Sequence, residues 1–399
     1  MSGFGALANP AFRRYFVGAV AGVNGNWIFR VLLSWLAWDL TGSASFVGLV
    51  AALSLAPVAF TAPFFGALTD RTPILVAYRW VSIGLLACPA ALLALMLAGV
   101  LTPSGLLGIA LLFGTVISAY HPVRQSLGPR LVDQPQIGSV VALAALNFNV
   151  GRVISPAIGG FLIAQLGTIP TAAISTALFL PNLIIGPTLK PRAVPPKAER
   201  SSFLTDLAEG LRAAWSRLPV RYSLLLTVAA MGPIRGVTEI LALIADGRFQ
   251  RGAEGLGLLT SAVGAGALIA AVFQVVAGAR LAGMAATRFT VIAVGFTATA
   301  ALTLAPSFPL AFALAPIVGF AGTYVGVSLQ IGIQTDLEDE LRGRIMSLWM
   351  VSITLSTSAL AFTISALSEV FGLGPTTLAV ILLAGSTVAL IAMIGKRRA

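Results

Sequence analysis

The chain has 399 residues, of which 57% are hydrophobic before its 41 glycines are counted, only 10% are charged, and the net charge is +11. A soluble globular domain carries about 25% charged residues, so this chain has too little polar surface to face water. At about 20 apolar residues per spanning helix it has room for twelve spans and short loops. One Cys (Cys88) and one His (His121) leave too few ligands for a disulfide scaffold, a zinc centre or a haem attachment.

The apolar stretches run near 20 residues, which predicts helices rather than the alternating strands of an outer-membrane barrel. The first stretch follows the basic pair Arg13 and Arg14 and continues without an Ala-x-Ala site, so it reads as an uncleaved first span. Spans are expected over 16–39, 44–69, 74–98, 104–125, 137–165 and 168–189, then over 221–246, 255–279, 286–305, 308–334, 342–370 and 374–395. Between the two sets, KPRAVPPKAERSS is broken by prolines, whereas SFLTDLAEGLRAAWSRLP can form a helix. Its Phe203, Leu204, Leu207, Leu211, Trp215 and Leu218 share one face, with acids early and arginines late as the helix dipole prefers. It reads as an interfacial helix or as a linker packed on the bundle ends. The expected division is a six-helix bundle over 1–189, a linker over 190–220 and a second six-helix bundle over 221–399.

With the N-terminus inside, 20 of the 25 Lys and Arg fall on the cytoplasmic side, two (Arg248 and Arg251) fall outside, and Arg30, Arg152 and Arg235 lie within spans. That bias places both termini in the cytoplasm and requires an even number of spans. It also assigns the net charge to a face of anionic lipid rather than to nucleic acid.

An internal repeat accompanies this count. RQSLGPRLVDQPQIGS lies on LQIGIQTDLEDELRGR without a gap at a shift of 205, matching Gln125 with Gln330, Asp133 with Glu338 and Gly138 with Gly343. The same shift carries Arg30 onto Arg235. Such symmetry between halves is common in transporters.

A charge at bilayer depth costs about 2.5 to 3.5 kcal/mol or more, so each requires a partner or a wet cavity. Asn26, Arg30 and Ser34 form a polar stripe in span one; Arg235, Glu239 and Asp246 share a face in span seven; Asn149, Arg152 and Ser155 do so in span five. Arg235 and Glu239 are spaced for an ion pair within one helix, whereas Arg30 has no acid four residues away and points to substrate or gating contact. Arg152 either braces helix packing or touches substrate. His121, beside Pro122, is read as structural, though an imidazole there could titrate. Glu369 and Asp39 are read as solvated span ends. Gly18 with Gly22, and Gly322 with Gly326, are spaced for close helix approach, and Pro57, Pro63, Pro156, Pro233 and Pro316 interrupt helical hydrogen bonding where neighbours or water can satisfy it.

GALTDR at 66–71 resembles the Gly-x-x-x-Asp-Arg loop of the major facilitator superfamily, and NVGRVISPAIGGF at 149–161 is similar to the span-five motif of its antiporters. FRRYFVGAVAGVNGNWIFRVLLSWLAWDLTGSASFVGLV, SAYHPVRQSLGPRLV and LRGRIMSLW resemble the branch holding enterobactin exporters and macrolide efflux proteins, and the likeness runs along the whole chain. The resemblance implies twelve helices in two pseudo-symmetric bundles and a central cavity lined by spans one, four, seven and ten. It further implies a conformational latch at Gly66, Asp70 and Arg71, and a span-five motif at Gly151, Pro156, Gly159 and Gly160. The chain departs from the family pattern where Thr72, Pro73 and Ile74 replace further basic residues, where Ser155 replaces the motif's Gly before Pro156, and where Asn26 replaces a frequent Asp.

The expected function is a secondary transporter of the bacterial inner membrane working by alternating access. No Gly-x-x-x-x-Gly-Lys-Ser/Thr sequence is present, so a gradient must supply the energy; proton exchange is what the resemblance implies, with Glu239 the candidate carrier. Three buried arginines against one deep glutamate suggest an anionic or amphiphilic substrate, siderophore-like or drug-like, exported by a monomer without a cofactor. The alternative is a lysophospholipid or lipid transporter, and a more remote one is a receptor or assembly partner that transports nothing. An intramembrane hydrolase is disfavoured, since one His at a span edge supplies no base constellation.

Overall fold

The computed structural model describes residues 5–192, 211–212, 215–334 and 339–396; at 63, 67, 70, 277–283, 285, 334, 339–344, 395 and 396 the description is of the backbone alone. The first half contains α1 (Pro10–Thr41), α2 (Ala44–Arg71), α3 (Ile74–Leu97), α4 (Pro103–Arg130), α5 (Ile137–Leu166) and α6 (Thr168–Thr188). The second contains α7 (218–248), α8 (Gly252–Gly283), α9 (Ala285–Leu304), α10 (Phe308–Gln334), α11 (Asp339–Phe371) and α12 (Leu373–Lys396). The chain is therefore an all-helical, multi-pass membrane protein of twelve crossings, with α1 beginning and α12 ending on the same face.

Local chemistry sets the boundaries. Asn9 accepts from the amides of Ala11 and Phe12 at the start of α1, whose other end turns at Gly42 in the left-handed region, φ 58°. Ser43 and Thr102 cap α2 and α4 in the same way as Asn9.

Eleven of the crossings are long and apolar enough to span a bilayer, the sixth pausing at Leu178 and Phe179 between Thr168–Ala177 and Leu180–Ile185. The seventh is assembled from pieces: Leu218–Leu226, a π turn at Thr227–Met231, Gly232–Glu239, and a second π turn at Leu243–Arg248. Pro233 has no N–H to continue the helical ladder, and Ile240 leaves helical geometry at φ −114°, ψ 26°. The expected uniform span over 221–246 is thus a segmented one, and each π turn shifts the side-chain register beyond it.

Adding six to the helix number turns the packing of one half into that of the other. The pairs α1·α5, α2·α4, α3·α4, α3·α6 and α5·α6 reappear as α7·α11, α8·α10, α9·α10, α9·α12 and α11·α12. Pro103 and Phe308 open α4 and α10, and Thr168 and Leu373 open α6 and α12, at the shift of 205 found in the sequence. Gly114 packs on the Ser54 carbonyl of α2, and its counterpart Gly319 packs on the Val263 carbonyl of α8. Glu338, the expected counterpart of Asp133, lies outside the described residues.

The halves meet along two seams, α2·α11 and α5·α8. At the first, a Cβ on Gly48 would sit 2.5 Å from Cβ of Ser365; at the second, a Cβ on Gly160 would overlap the Ala253 carbonyl oxygen. Ala253 is 205 positions after Gly48 and Ser365 is 205 after Gly160, so one two-fold operation exchanges the seams.

Within the first half, Gly18 and Gly22 form a notch for the Asn182 side chain of α6, whose Oδ1 accepts from Tyr78 Oη at 2.9 Å. Gly322 and Gly326 face Ile234 and Met231 of α7. Most of the amphipathic linker helix lies outside the described residues; of its apolar face, Leu211 and Trp215 are exposed, and the Arg221 guanidinium lies 5.5 Å from the Trp215 ring centre.

Candidate functional site

Arg30 on α1 lies roughly 16 Å from the Thr41 end of its helix at 1.5 Å per residue, deep enough to need a partner. That partner is Glu239, the last residue of the Gly232–Glu239 segment of α7. Arg30 Nη2 donates to Glu239 Oε2 at 2.6 Å, with about a quarter of each side chain exposed, 26% and 23%. This ion pair joins the two halves.

Around it lies a cavity of about 90 Å³ lined by Trp27, Arg30, Ser34, Arg152, Thr238 and Glu239, with Thr260 of α8 and apolar residues completing the wall. That volume holds several waters but falls below the 300 Å³ or more of a drug-sized pocket. Arg30 also stacks over the Trp27 ring at 5.6 Å, and Trp27 packs against Phe148 of α5 at 5.8 Å between centroids. The Trp27 indole N–H is buried without an acceptor. Arg152 and Arg235 both feel the Glu239 charge, and Arg152 also feels those of Arg30 and Arg235. Arg30 thus holds the carboxylate directly, Arg152 shares its cavity wall, and Arg235 lies within reach of its charge.

Beyond this level, toward the face opposite the chain ends, further polar contacts cross between the halves. Asp246 accepts from Trp38 Nε1 at 2.8 Å through Oδ2 and from the Gly252 amide at 2.9 Å through Oδ1. Glu369 Oε1 accepts from Ser43 Oγ at 2.6 Å, Ser45 Oγ at 2.9 Å and the Ser45 amide at 3.0 Å. Those groups sit at the start of α2, where a carboxylate also meets the positive end of the helix dipole.

The sequence expectations fare unevenly against this geometry. Arg30, Ser34, Arg152 and Glu239 converge on the cavity. Arg235 stands beside Glu239 in charge but does not form the expected intrahelical ion pair, because Arg30 holds the carboxylate from the other half. Asn26 lies one turn before Arg30 and outside the lining, and Asn149 turns back to donate to the Ala145 carbonyl at 2.9 Å. Ser155 is fully buried and donates to Asn24 Oδ1 at 2.7 Å, tying α5 to α1.

The span-five residues act in packing. Gly151 and Gly159 face Val23 and Ile28 of α1, while the Pro156 carbonyl and Gly160 face Gly257 of α8. For the latch, Gly66 has open space where a Cβ would stand and Arg71 is exposed, while the Asp70 side chain lies outside the described residues. Glu369, expected to be merely solvated, is instead a bridge between halves. Trp27, Trp38, Thr238 and Thr260 had no distinguishing signal in the sequence: Trp and Thr are common in apolar spans, and only the fold brings these together.

A family profile described as transmembrane secretion effector matches residues 1–397. A multidrug efflux pump named Tap, from Mycolicibacterium fortuitum, is 24% identical over 386 residues, covering 93% of this chain and 92% of that protein. Among solved structures, a POT family transporter in complex with 5-aminolevulinic acid superposes with a TM-score of 0.73 at 12% identity, covering 97% of this chain and 96% of that one. The nucleoside transporter NupG does so with a TM-score of 0.70 at 13% identity, covering 96% of this chain and 99% of that one.

Proposed function

Since the chain belongs to the transmembrane secretion effector family, a branch of the major facilitator superfamily, and is a membrane transporter, we propose that it exports an amphiphilic small molecule bearing an anionic group in exchange for protons. The observation that carries this reading is the Arg30–Glu239 ion pair between halves, with Arg152 in the same cavity wall, Arg235 within reach of the Glu239 charge, and no second acid among the described residues of that wall.

Glu239 and Arg30 hold the far side of the molecule together only while the carboxylate is charged. Substrate enters while Glu239 is charged, its anionic group on Arg152 and its apolar part against Trp27, which also offers one N–H. As the halves rock, Glu239 parts from Arg30 and takes a proton from the far side as the substrate leaves. The protonated carrier returns empty, and deprotonation on the near side re-forms the pair, so one proton enters for each molecule exported. The small cavity fits this cycle, because a drug-sized molecule needs the halves to rock apart before it can be held. The names of the relatives support export and an amphiphilic, drug-like substrate, and alternating access around a midplane site is the general mode of folds built from repeats.

The test is pH-driven transport in proteoliposomes with Glu239→Gln, using an anionic amphiphilic drug as substrate. The expected result is loss of the response to the pH gradient with substrate binding retained; full pH-driven transport by the variant overturns the role of Glu239. If Arg30→Gln and Arg235→Gln leave transport of anionic substrates unchanged, the charge argument fails.

A further inference from the structure

The repeat also reveals where the halves differ. In the second half, Phe273 of α8 and Phe320 and Tyr324 of α10 form a cluster of rings with centroids 5.9 to 6.2 Å apart. At a shift of 205 the first half has Leu68 on α2 and Thr115 and Ala119 on α4. Where the second half carries three rings the first carries Leu, Thr and Ala, and a groove of about 420 Å³ remains between α2 and α3 with α4 as its floor. It shares no lining residue with the charged cavity.

Three features describe what fits it. The groove opens at Thr72, in the turn between α2 and α3, and its floor on α4 runs from Val123 to Thr115, roughly 12 Å at 1.5 Å per residue. That reach is close to one leaflet of a hydrocarbon core ~30 Å thick. Its rim carries Trp80, 68% exposed and within two turns of the start of α3, at the level where indole rings prefer the headgroup region. Arg71 and Arg79 flank it in the chain, both exposed and neither paired with a described acid, and no acid is among the described residues that line the groove.

We propose that this groove is a binding site for an anionic phospholipid of the leaflet on the basic face, with one acyl chain lying along α4 and the phosphate held between Arg71 and Arg79. The two guanidiniums select the headgroup charge, and the missing rings provide the space for the chain. The site follows from a difference between two copies of one unit, not from the general shape of the fold.

Native mass spectrometry of the full chain, released from bilayers of equal phosphatidylglycerol and phosphatidylcholine, tests this. Wild type is expected to retain one phosphatidylglycerol in preference to phosphatidylcholine. The double variant Thr115→Phe with Ala119→Tyr imports the rings of the other half and is expected to lose the retained lipid; Leu68→Phe alone serves where the double variant does not fold. Arg71→Gln with Arg79→Gln leaves the groove open and is expected to reduce the preference about tenfold or more. Equal retention of both lipids by wild type, or an unchanged preference in either the filled or the arginine variants, overturns the proposal.

Discussion

Arg30 and Glu239 are 209 positions apart in the chain, yet their side chains meet at 2.6 Å. The contact that completes the charged cavity therefore exists only while the two halves stand together at that level. A double-mutant cycle of Arg30→Ala and Glu239→Ala is expected to give a coupling of about 1 to 3 kcal/mol in thermal unfolding, the usual range for residues in direct contact. Additivity within about 0.5 kcal/mol would show that the pair does not hold the halves.

Glu369→Gln removes the charge from three hydrogen bonds at the head of α2. Hydrogen bonds to a charged group contribute about 1.5 to 3 kcal/mol, enough to shift an open–closed equilibrium tenfold or more. Ser365 is fully buried at the α2·α11 seam, and the native Cys88 is also buried, so Ser365→Cys provides one reporter thiol. Its labelling by a membrane-impermeant maleimide should rise about tenfold when Glu369→Gln is added; an unchanged rate would show that the bridge does not hold this face shut.

Gly160→Ala places a methyl against the Ala253 carbonyl, in a seam where backbone cannot retreat without moving a helix. Overpacking of this kind costs about 1 to 3 kcal/mol, here charged to the far-side-closed state. Transport should fall and Ser365→Cys labelling should rise. Gly138→Ala, where nothing lies within reach of a Cβ, is the control and should change neither.

Ser155→Ala removes the buried hydrogen bond to Asn24 and leaves its oxygen without that donor. The melting temperature should drop by the equivalent of about 1 kcal/mol, with transport kinetics unchanged. A change in pH-driven transport at constant stability would instead place Ser155 in the coupling machinery.

How much of this was legible beforehand depends on the range of the interaction. The spans and the repeat follow from hydropathy and a fixed shift, which are local or periodic properties. Arg30 and Glu239 were visible as charges that required partners, but the choice of partner depends on how the halves approach, and the spacing of Arg235 and Glu239 offered a closer but wrong one. The π turns of α7 have little local signature beyond Pro233 and neighbouring glycines, so the side-chain register after Ile240 was out of reach. Glu369 gave no sign of its role because a carboxylate at a span end is ordinarily solvated; its serine partners lie in the opposite half of the chain.

The two seams exchanged by the molecular two-fold are built from different materials. At α5·α8, Gly257 meets the Pro156 carbonyl and Gly264 the Arg152 carbonyl, so main chain rests on main chain over several turns. At α2·α11 Gly48 alone meets a carbonyl, that of Ala361, and the union is finished by serine hydroxyls on one carboxylate. Bare backbones in contact tolerate pivoting better than separation, whereas hydroxyls can exchange a carboxylate for water. The molecule is accordingly expected to open as a door does, with its hinge along α5 and α8 and its free edge along α2 and α11.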